Sequence, residues 1–172
     1  GGACTGDYSV LLSRYPIRCI AFEPVPENYT TIIRNLHLNR LTGKVDAYKT
    51  GLGNKNMKAR FNFNPVNTGA SHIDSLNSNG DCEVEIRTFD SLLNELKIDV
   101  REKILFKLDV EGMEPEALEG CTQFIRQYPN IMFVMEEKHA GQDRIKTILN
   151  NIAVFEYGIV DEFNIYARKI TN

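Results

Sequence analysis

The chain has 172 residues, of which 42% are hydrophobic and 25% are charged. This composition is typical of one globular domain and excludes a disordered tail or a collagen-like fibre. The 20 basic and 23 acidic residues leave a net charge of −3, which argues against a general nucleic-acid binder. The longest wholly apolar run, 131–135, is too short to cross a bilayer, so we expect no membrane-spanning segment.

In the first part of the chain, helical and strand patterns alternate, which is typical of an α/β fold. Apolar residues at helical spacing predict helices over residues 7–15 and 26–40. Short apolar runs predict strands over 18–23 and 44–52. The inward face of the first helix would carry Tyr8, Leu11, Leu12 and Tyr15.

The middle of the chain has a different pattern. Apolar and polar residues alternate over 57–64 and 81–89, which predicts an antiparallel or half-exposed pair of strands. The connection between them, residues 65–80, is rich in Asn, Ser and Gly. A connection of that length without a clear element is usually functional or mobile.

Helices and strands alternate again in the last part. Strands are predicted over 103–109 and 131–136, the first of them buried on both faces. A terminal antiparallel hairpin is predicted from 153–157 and 162–168. The predicted helices cover 90–96, with Asp90 as the N-cap, 114–128 and 142–151. We expect one domain over residues 1–172.

The four cysteines and three histidines are scattered, with no Cys-x-x-Cys pair. A zinc site needs clustered ligands, so the sequence predicts no metal. Cys19 and Cys121 lie in apolar patterns and are expected to be buried thiols. The start of the chain lacks the features of a secretory signal, and we expect a cytoplasmic, reduced protein.

Two features at the start of the chain point to a nucleoside ligand. Gly2 and Gly6 lie in a turn that opens a helix, where the backbone can approach a ligand closely. Glu23 ends the next strand, and an acid there can accept both ribose hydroxyls as donors. A plain strand-to-helix turn and a surface acid are the alternatives. The two features together do not separate a nicotinamide cofactor from S-adenosylmethionine.

A third feature is the stretch from Lys107 to Glu114, where a central strand opens into a loop. Lys107 and Asp109 alternate along the strand, so their side chains should point to one face. Asp109 and Glu111 lie where ligands bind in open α/β sheets. The alternative is a buried Lys–carboxylate pair. His139, after the next strand, could accept a proton near neutral pH, although such a segment is more often a solvated loop.

The segments GGACTGDYS, AFEPVPENY, VEIRTFDSLL and FKLDVEGMEPEALEG resemble the FkbM family of S-adenosylmethionine-dependent methyltransferases. The resemblance implies a class I, Rossmann-like fold: a mostly parallel sheet with helices on both faces and a C-terminal antiparallel hairpin. Members normally carry a strand before the glycine turn, whereas Gly1 already lies in the turn here. The resemblance therefore implies an N-terminally truncated domain. Members also usually have Asn at the position of Cys4.

The resemblance also assigns roles to individual residues. Asp109 would lie near the methyl group and the acceptor. Because a hydroxyl is a poor nucleophile, we further predict that Asp109 is the general base, with Lys107 or Glu111 tuning it. We predict that the acceptor, a small molecule or a glycan, meets Ser71, His72 and His139. The cofactor S-adenosylmethionine would contact Gly2, Ala3, Gly6, Ser9, Glu23, Pro24, Leu52 and Asp109.

The sequence therefore predicts an O-methyltransferase with no nucleic-acid or membrane partner, and a homo-oligomer stays open. A nicotinamide-dependent oxidoreductase is the first alternative, although its tighter Gly-x-Gly-x-x-Gly spacing is absent. The second is a truncated, non-catalytic Rossmann-like binding domain.

Overall fold

The computed structural model describes residues 1–15, 17–62, 72–73, 82–136 and 141–170. The chain divides into two compact units, one of residues 1–51 and 57–86 and the other of residues 52–56 and 87–172. Helices and strands alternate in both, which confirms the predicted α/β class. No helix among the described residues is long and apolar enough to span a membrane.

The first unit contains two helices, α1 (Asp7–Leu12) and α2 (Pro26–Leu38). Strands β1 and β2 pair in parallel, and the other four follow the order β3-β6-β4-β5 in a second sheet. Strand β4 is antiparallel to both of its neighbours, which confirms the antiparallel pairing predicted for the middle of the chain. The strands are β1 (Cys19–Phe22), β2 (Val45–Tyr48), β3 (Gly51–Leu52), β4 (Met57–Asn62), β5 (His72–Ile73) and β6 (Cys82–Arg87).

The segment 44–52, predicted as one strand, forms β2 and β3 in different sheets. Thr50 lies at the break, where its hydroxyl donates to the Glu85 carbonyl at 3.0 Å. This bond ties the chain to β6, which belongs to the same sheet as β3. Strand β5 is a second difference, because its two residues fall in the segment predicted to have no element.

Helix α1 buries its serines instead of its predicted apolar face. Tyr8, Leu11 and Tyr15 are more than half exposed, whereas Ser9 and Ser13 are buried. The Ser13 hydroxyl donates to the Ser9 carbonyl at 2.6 Å. Because a hydroxyl that is hydrogen-bonded within its own helix can be buried at little cost, apolar spacing alone predicted the wrong face.

The second unit is built on one four-stranded sheet in the order β7-β8-β10-β9. Strands β7 and β8 are parallel, and the predicted terminal hairpin is confirmed, with its last strand inserted beside β8. The strands are β7 (Ile104–Leu108), β8 (Ile131–Glu136), β9 (Phe155–Ile159) and β10 (Asn164–Lys169). The helices are α3 (Phe89–Leu96), α4 (Glu114–Glu119), α5 (Thr122–Gln127) and α6 (Gln142–Asn150).

Strand β7 buries one face. Phe106 packs against Phe89 and Phe133, and this aromatic cluster forms part of the core. Successive side chains on a strand point to opposite faces. Leu105 therefore points away from the cluster and is 59% exposed, so the expectation that both faces of this strand are buried was wrong.

The predicted helix over 114–128 is broken at Gly120, which gives α4 and α5. A Cβ atom on Gly120 would lie 2.0 Å from the carbonyl oxygen of Gly53. The two backbones therefore approach too closely for any other residue. The helical period continues through this point, so apolar spacing did not reveal the break.

The prediction that Asp90 caps its own helix was wrong. Its carboxylate accepts the backbone N–H groups of Gln123 and Phe124, at 2.7 and 2.8 Å, and so caps α5. Helix α3 is capped instead by Thr88, whose hydroxyl accepts the Ser91 N–H at 3.1 Å. Asp90 therefore holds the start of α5 against α3.

Candidate functional site

The glycine turn, residues 1–6, lies against the end of β1. The Ala3 N–H donates to the Phe22 carbonyl at 3.0 Å, and the Gly6 N–H donates back to Ala3 at 2.8 Å. Gly2 and Gly6 have φ values of 70° and 86°, which only glycine adopts without strain. The three predicted cofactor residues of this turn, Gly2, Ala3 and Gly6, thus form one folded backbone loop.

Cys4 lies in the same turn with a left-handed φ of 49°, which is uncommon for a residue other than glycine, Asn or Asp. Its N–H donates to Oε2 of Glu23 at 2.8 Å. This charge-assisted hydrogen bond helps to offset the cost of the left-handed backbone. The structure therefore brings the turn and Glu23, two separate features of the sequence, into direct contact.

The other carboxylate oxygen of Glu23 is also bound. Oε1 accepts the Val25 N–H at 3.0 Å and the Asn28 side-chain amide at 3.3 Å. Glu23 is only 4% exposed, and burial raises the pKa of its carboxyl, while these hydrogen bonds and the one from Cys4 lower it. Sequence reasoning missed Asn28. Its position in the first turn of α2, five residues after an acid that ends a strand, is the signal.

The other predicted cofactor residues have different surroundings. Pro24 packs against Gly51: a Cβ atom added to Gly51 would lie 3.3 Å from the Cβ of Pro24. Ser9 is buried, and its hydroxyl is hydrogen-bonded to the thiol of Cys19, so it faces the interior of the first unit. Burial raises the pKa of that half-buried thiol. Leu52 is buried in β3.

Lys107 and Asp109 point to the same face, as their alternation predicted. The Lys107 ammonium lies 2.6 Å from Oδ2 of Asp109. Their side chains are 26% and 39% exposed, so solvent reaches both groups. The structure thus contains the Lys–carboxylate pair that was the alternative interpretation, but the pair is only partly buried. The Asp109 carboxylate is held in place and still open to solvent.

Residues 110–114 form a tight turn after β7. Glu111 and Gly112 both have left-handed backbones, with φ values of 52° and 93°. The Val110 N–H donates to Oε1 of Glu114 at 2.8 Å, and the Met113 N–H donates to the Val110 carbonyl at 3.2 Å. Glu114 therefore fixes the backbone directly after Asp109.

Glu114 is the second residue that sequence reasoning missed. It is 1% exposed, and its Oε2 atom has no hydrogen-bond partner among the described residues. Burial raises the pKa of its carboxyl, and the negative charges of Glu136 and Asp109 raise it further. The signal in the sequence is an acid immediately before Pro115 at the start of a helix.

The start of β10 lies at the same end of this sheet as the end of β8, because the strands are antiparallel and Asn164 pairs with Glu136. The Asn164 side chain donates to Asp161 at 2.9 Å. Hydrogen bonds from Asn164 and Phe163 lower the pKa of Asp161, and the charge of Lys107 adds to this effect. The end of the sheet that carries Asp109 thus also carries further acidic and amide side chains.

The predicted acceptor residues are the least described. Ser71 and His139 lie outside the described residues. The backbone of His72 pairs with Asn62 in β5. Within the described part of the chain, no group of three His, Cys, Asp or Glu side chains is arranged to hold a metal ion.

Residues 1–163 match the sequence model of the Methyltransferase FkbM domain. The chain is 28% identical to Methyltransferase 1 of Beauveria bassiana, over 69% of this chain and 55% of the relative. It is also 28% identical to the hexuronic acid methyltransferase AglP of Haloferax volcanii, over 72% of this chain and 48% of the relative. The chain thus spans about half the length of these curated relatives.

A solved structure shares the fold. The crystal structure of methyltransferase FkbM from Methylobacillus flagellatus KT matches 97% of this chain with a TM-score of 0.66, at 17% sequence identity. The match covers 41% of that chain. At this identity the likeness concerns the fold alone, and it agrees with the Rossmann-like methyltransferase fold that the sequence predicts.

Proposed function

The chain belongs to the FkbM methyltransferase family, and on that premise we propose that it serves S-adenosylmethionine-dependent methylation of a hydroxyl on a small molecule or glycan. The observation that carries the proposal is the 2.8 Å hydrogen bond from Cys4 to Glu23. It joins the glycine turn and the acid, the two features that pointed to a nucleoside. The family match argues against the nicotinamide-dependent oxidoreductase.

The residues around this bond fit the proposed cofactor. Gly2 and Gly6 provide a left-handed backbone that a ligand can approach closely. Glu23 provides a fixed carboxylate oxygen for a ribose hydroxyl. When bound, S-adenosylmethionine supplies a sulfonium methyl group that an acceptor oxygen can take up.

Asp109 is the proposed general base. A hydroxyl is a poor nucleophile at neutral pH, so a carboxylate that removes its proton speeds the transfer. Lys107 holds the Asp109 carboxylate through their 2.6 Å contact, and Glu114 fixes the backbone that follows. Glu111 lies in the turn between them and keeps its proposed tuning role.

The proposed acceptor class rests on one relative, whose name states that it methylates hexuronic acid. A hydroxyl of an acidic sugar is therefore the first acceptor to assay. Ser71, His72 and His139 keep their proposed place at the acceptor. We propose no nucleic-acid or membrane partner, and a homo-oligomer remains compatible with the proposal.

Calorimetric titration of the chain with S-adenosylhomocysteine and, separately, with NAD⁺ tests the proposal. We expect S-adenosylhomocysteine to bind at least about tenfold more tightly, a difference of about 1.4 kcal/mol. Tighter binding of NAD⁺ would contradict the methyltransferase assignment. Binding of neither ligand by a folded chain would favour the non-catalytic domain.

A further inference from the structure

The end of the second unit's sheet that carries Asp109 has a surplus of acidic side chains. Strands β7 and β8 are parallel and both end here, and α4 and α6 follow them in the chain. The start of β10 lies at the same end, because Asn164 pairs with Glu136. The acidic residues at these strand ends and in the adjoining turns include Asp109, Glu111, Glu114, Glu136 and Asp161.

The cations near these strand ends are already paired. The Lys107 ammonium lies 2.6 Å from Asp109, and the Arg144 guanidinium lies 2.9 Å from Glu116. Among the described residues, Glu114 and Glu136 take part in no ion pair. A cationic group brought by a ligand would therefore meet negative charge that the described part of the chain leaves uncompensated.

The buried carboxyl of Glu114 is a second sign of this surplus. Its Oε1 atom accepts the Val110 N–H directly after Asp109, whereas Oε2 has no donor within the described part of the chain. The side chain is 1% exposed, and the charges of Glu136 and Asp109 add to the effect of burial in raising its pKa. An opposite charge within about 4–6 Å favours an ionised carboxyl without touching it. A cation bound beside Asp109 would thus stabilise Glu114 as well.

We propose that the acceptor carries an ammonium group close to the hydroxyl that is methylated, as an amino sugar does. An acidic acceptor would place a like charge beside Asp109 and Glu136, and like charges brought together on binding are costly. The preferred sugar is then of another class than the hexuronic acid in the name of the Haloferax volcanii relative. The inference rests on the proposed function, since it takes the sheet end beside Asp109 as the place where the acceptor binds.

The test uses three sugars that differ only at C6: methyl 6-amino-6-deoxyglucoside, methyl glucoside and methyl glucuronide. Each is titrated by calorimetry, at neutral pH, into the chain saturated with S-adenosylhomocysteine. We expect the amino sugar to bind at least about fivefold more tightly than the glucoside, and the glucuronide at least about fivefold more weakly, as for a strong solvent-exposed ion pair. Both differences should shrink in about 1 M salt, which screens charges beyond about 3 Å.

A pair of variants separates this sheet end from the net charge of the chain. Glu136→Gln removes one of the acidic groups and should reduce the preference for the amino sugar by at least about twofold. Glu27→Gln, at an exposed position of α2 in the first unit, removes the same charge and should leave the preference unchanged. Equal effects of the two variants would overturn the assignment of the preference to this end.

The outcomes separate the inference from the proposed function. Equal binding of the three sugars, tightest binding of the glucuronide, or no binding of any sugar to the saturated chain overturns the inference, while the assignment of the methyl donor stands. If S-adenosylhomocysteine does not bind a folded chain, both are overturned.

Discussion

Replacing Asp109 by Asn separates a catalytic carboxylate from a structural one. The change keeps the size of the side chain and removes its charge, so the ion pair with Lys107 is lost. Because the two side chains are 26% and 39% exposed, solvent screens them, and the loss of stability should be about 1 kcal/mol. A fully buried pair would cost about 3–5 kcal/mol when one partner is removed.

The effect on the rate should be much larger than the effect on stability. Loss of a general base lowers a rate by about 10²–10⁴-fold, which is about 2.7–5.5 kcal/mol of barrier. Lys107→Gln is the matched control, since it breaks the same pair and keeps the carboxylate. Unfolding in urea gives the stability, and methyl transfer to an acceptor that the wild type methylates, well below the melting temperature, gives the rate. Equal losses of rate in the two variants would refute the general-base role of Asp109.

Substitutions at Gly120 and Glu114 test the fold of the second unit. Gly120→Ala should lower the free energy of unfolding by more than about 3 kcal/mol or prevent folding, because its Cβ would lie 2.0 Å from the Gly53 carbonyl oxygen. The control Gly43→Ala meets no atom within 4 Å and should lower it by about 1–2 kcal/mol for its left-handed backbone, so similar urea midpoints for the two variants would contradict the close approach. Burial raises the pKa of Glu114, so its contribution to stability is full below the ordinary value of 4.5 and is lost as pH rises through the folded value. Glu114→Gln cannot ionise and should flatten that part of the curve of melting temperature against pH; identical curves for variant and wild type would show that Glu114 is not the group responsible.

The glycine turn and the acid after the next strand could be predicted because each depends on local chemistry. Gly2 and Gly6 need a left-handed backbone, and Glu23 ends a short apolar run. The contact between them joins residues 19 positions apart through the Cys4 N–H. The donor is a backbone N–H, which every residue except proline carries, so the identity of residue 4 does not predict this hydrogen bond.

Contacts between distant segments account for the incorrect predictions as well. Asp90 was assigned to its own helix because N-caps are recognised locally, but its partners Gln123 and Phe124 lie 33 and 34 residues away. Gly120 is likewise required by the close approach of the Gly53 backbone, which the apolar periodicity of the sequence does not indicate. Residue patterns therefore predicted the order of the elements better than their ends and caps.

Ligand-dependent protection of the glycine turn is the most direct test of the claim that it binds the nucleoside of S-adenosylmethionine with Glu23. Amide hydrogen exchange would be measured with and without S-adenosylhomocysteine, and with NAD⁺ as the control ligand. We expect slower exchange in peptides covering residues 1–6 and 22–28 with S-adenosylhomocysteine and no change with NAD⁺. Unchanged exchange in both peptides at a concentration that saturates the calorimetric signal would mean that the ligand binds elsewhere, and would contradict the account.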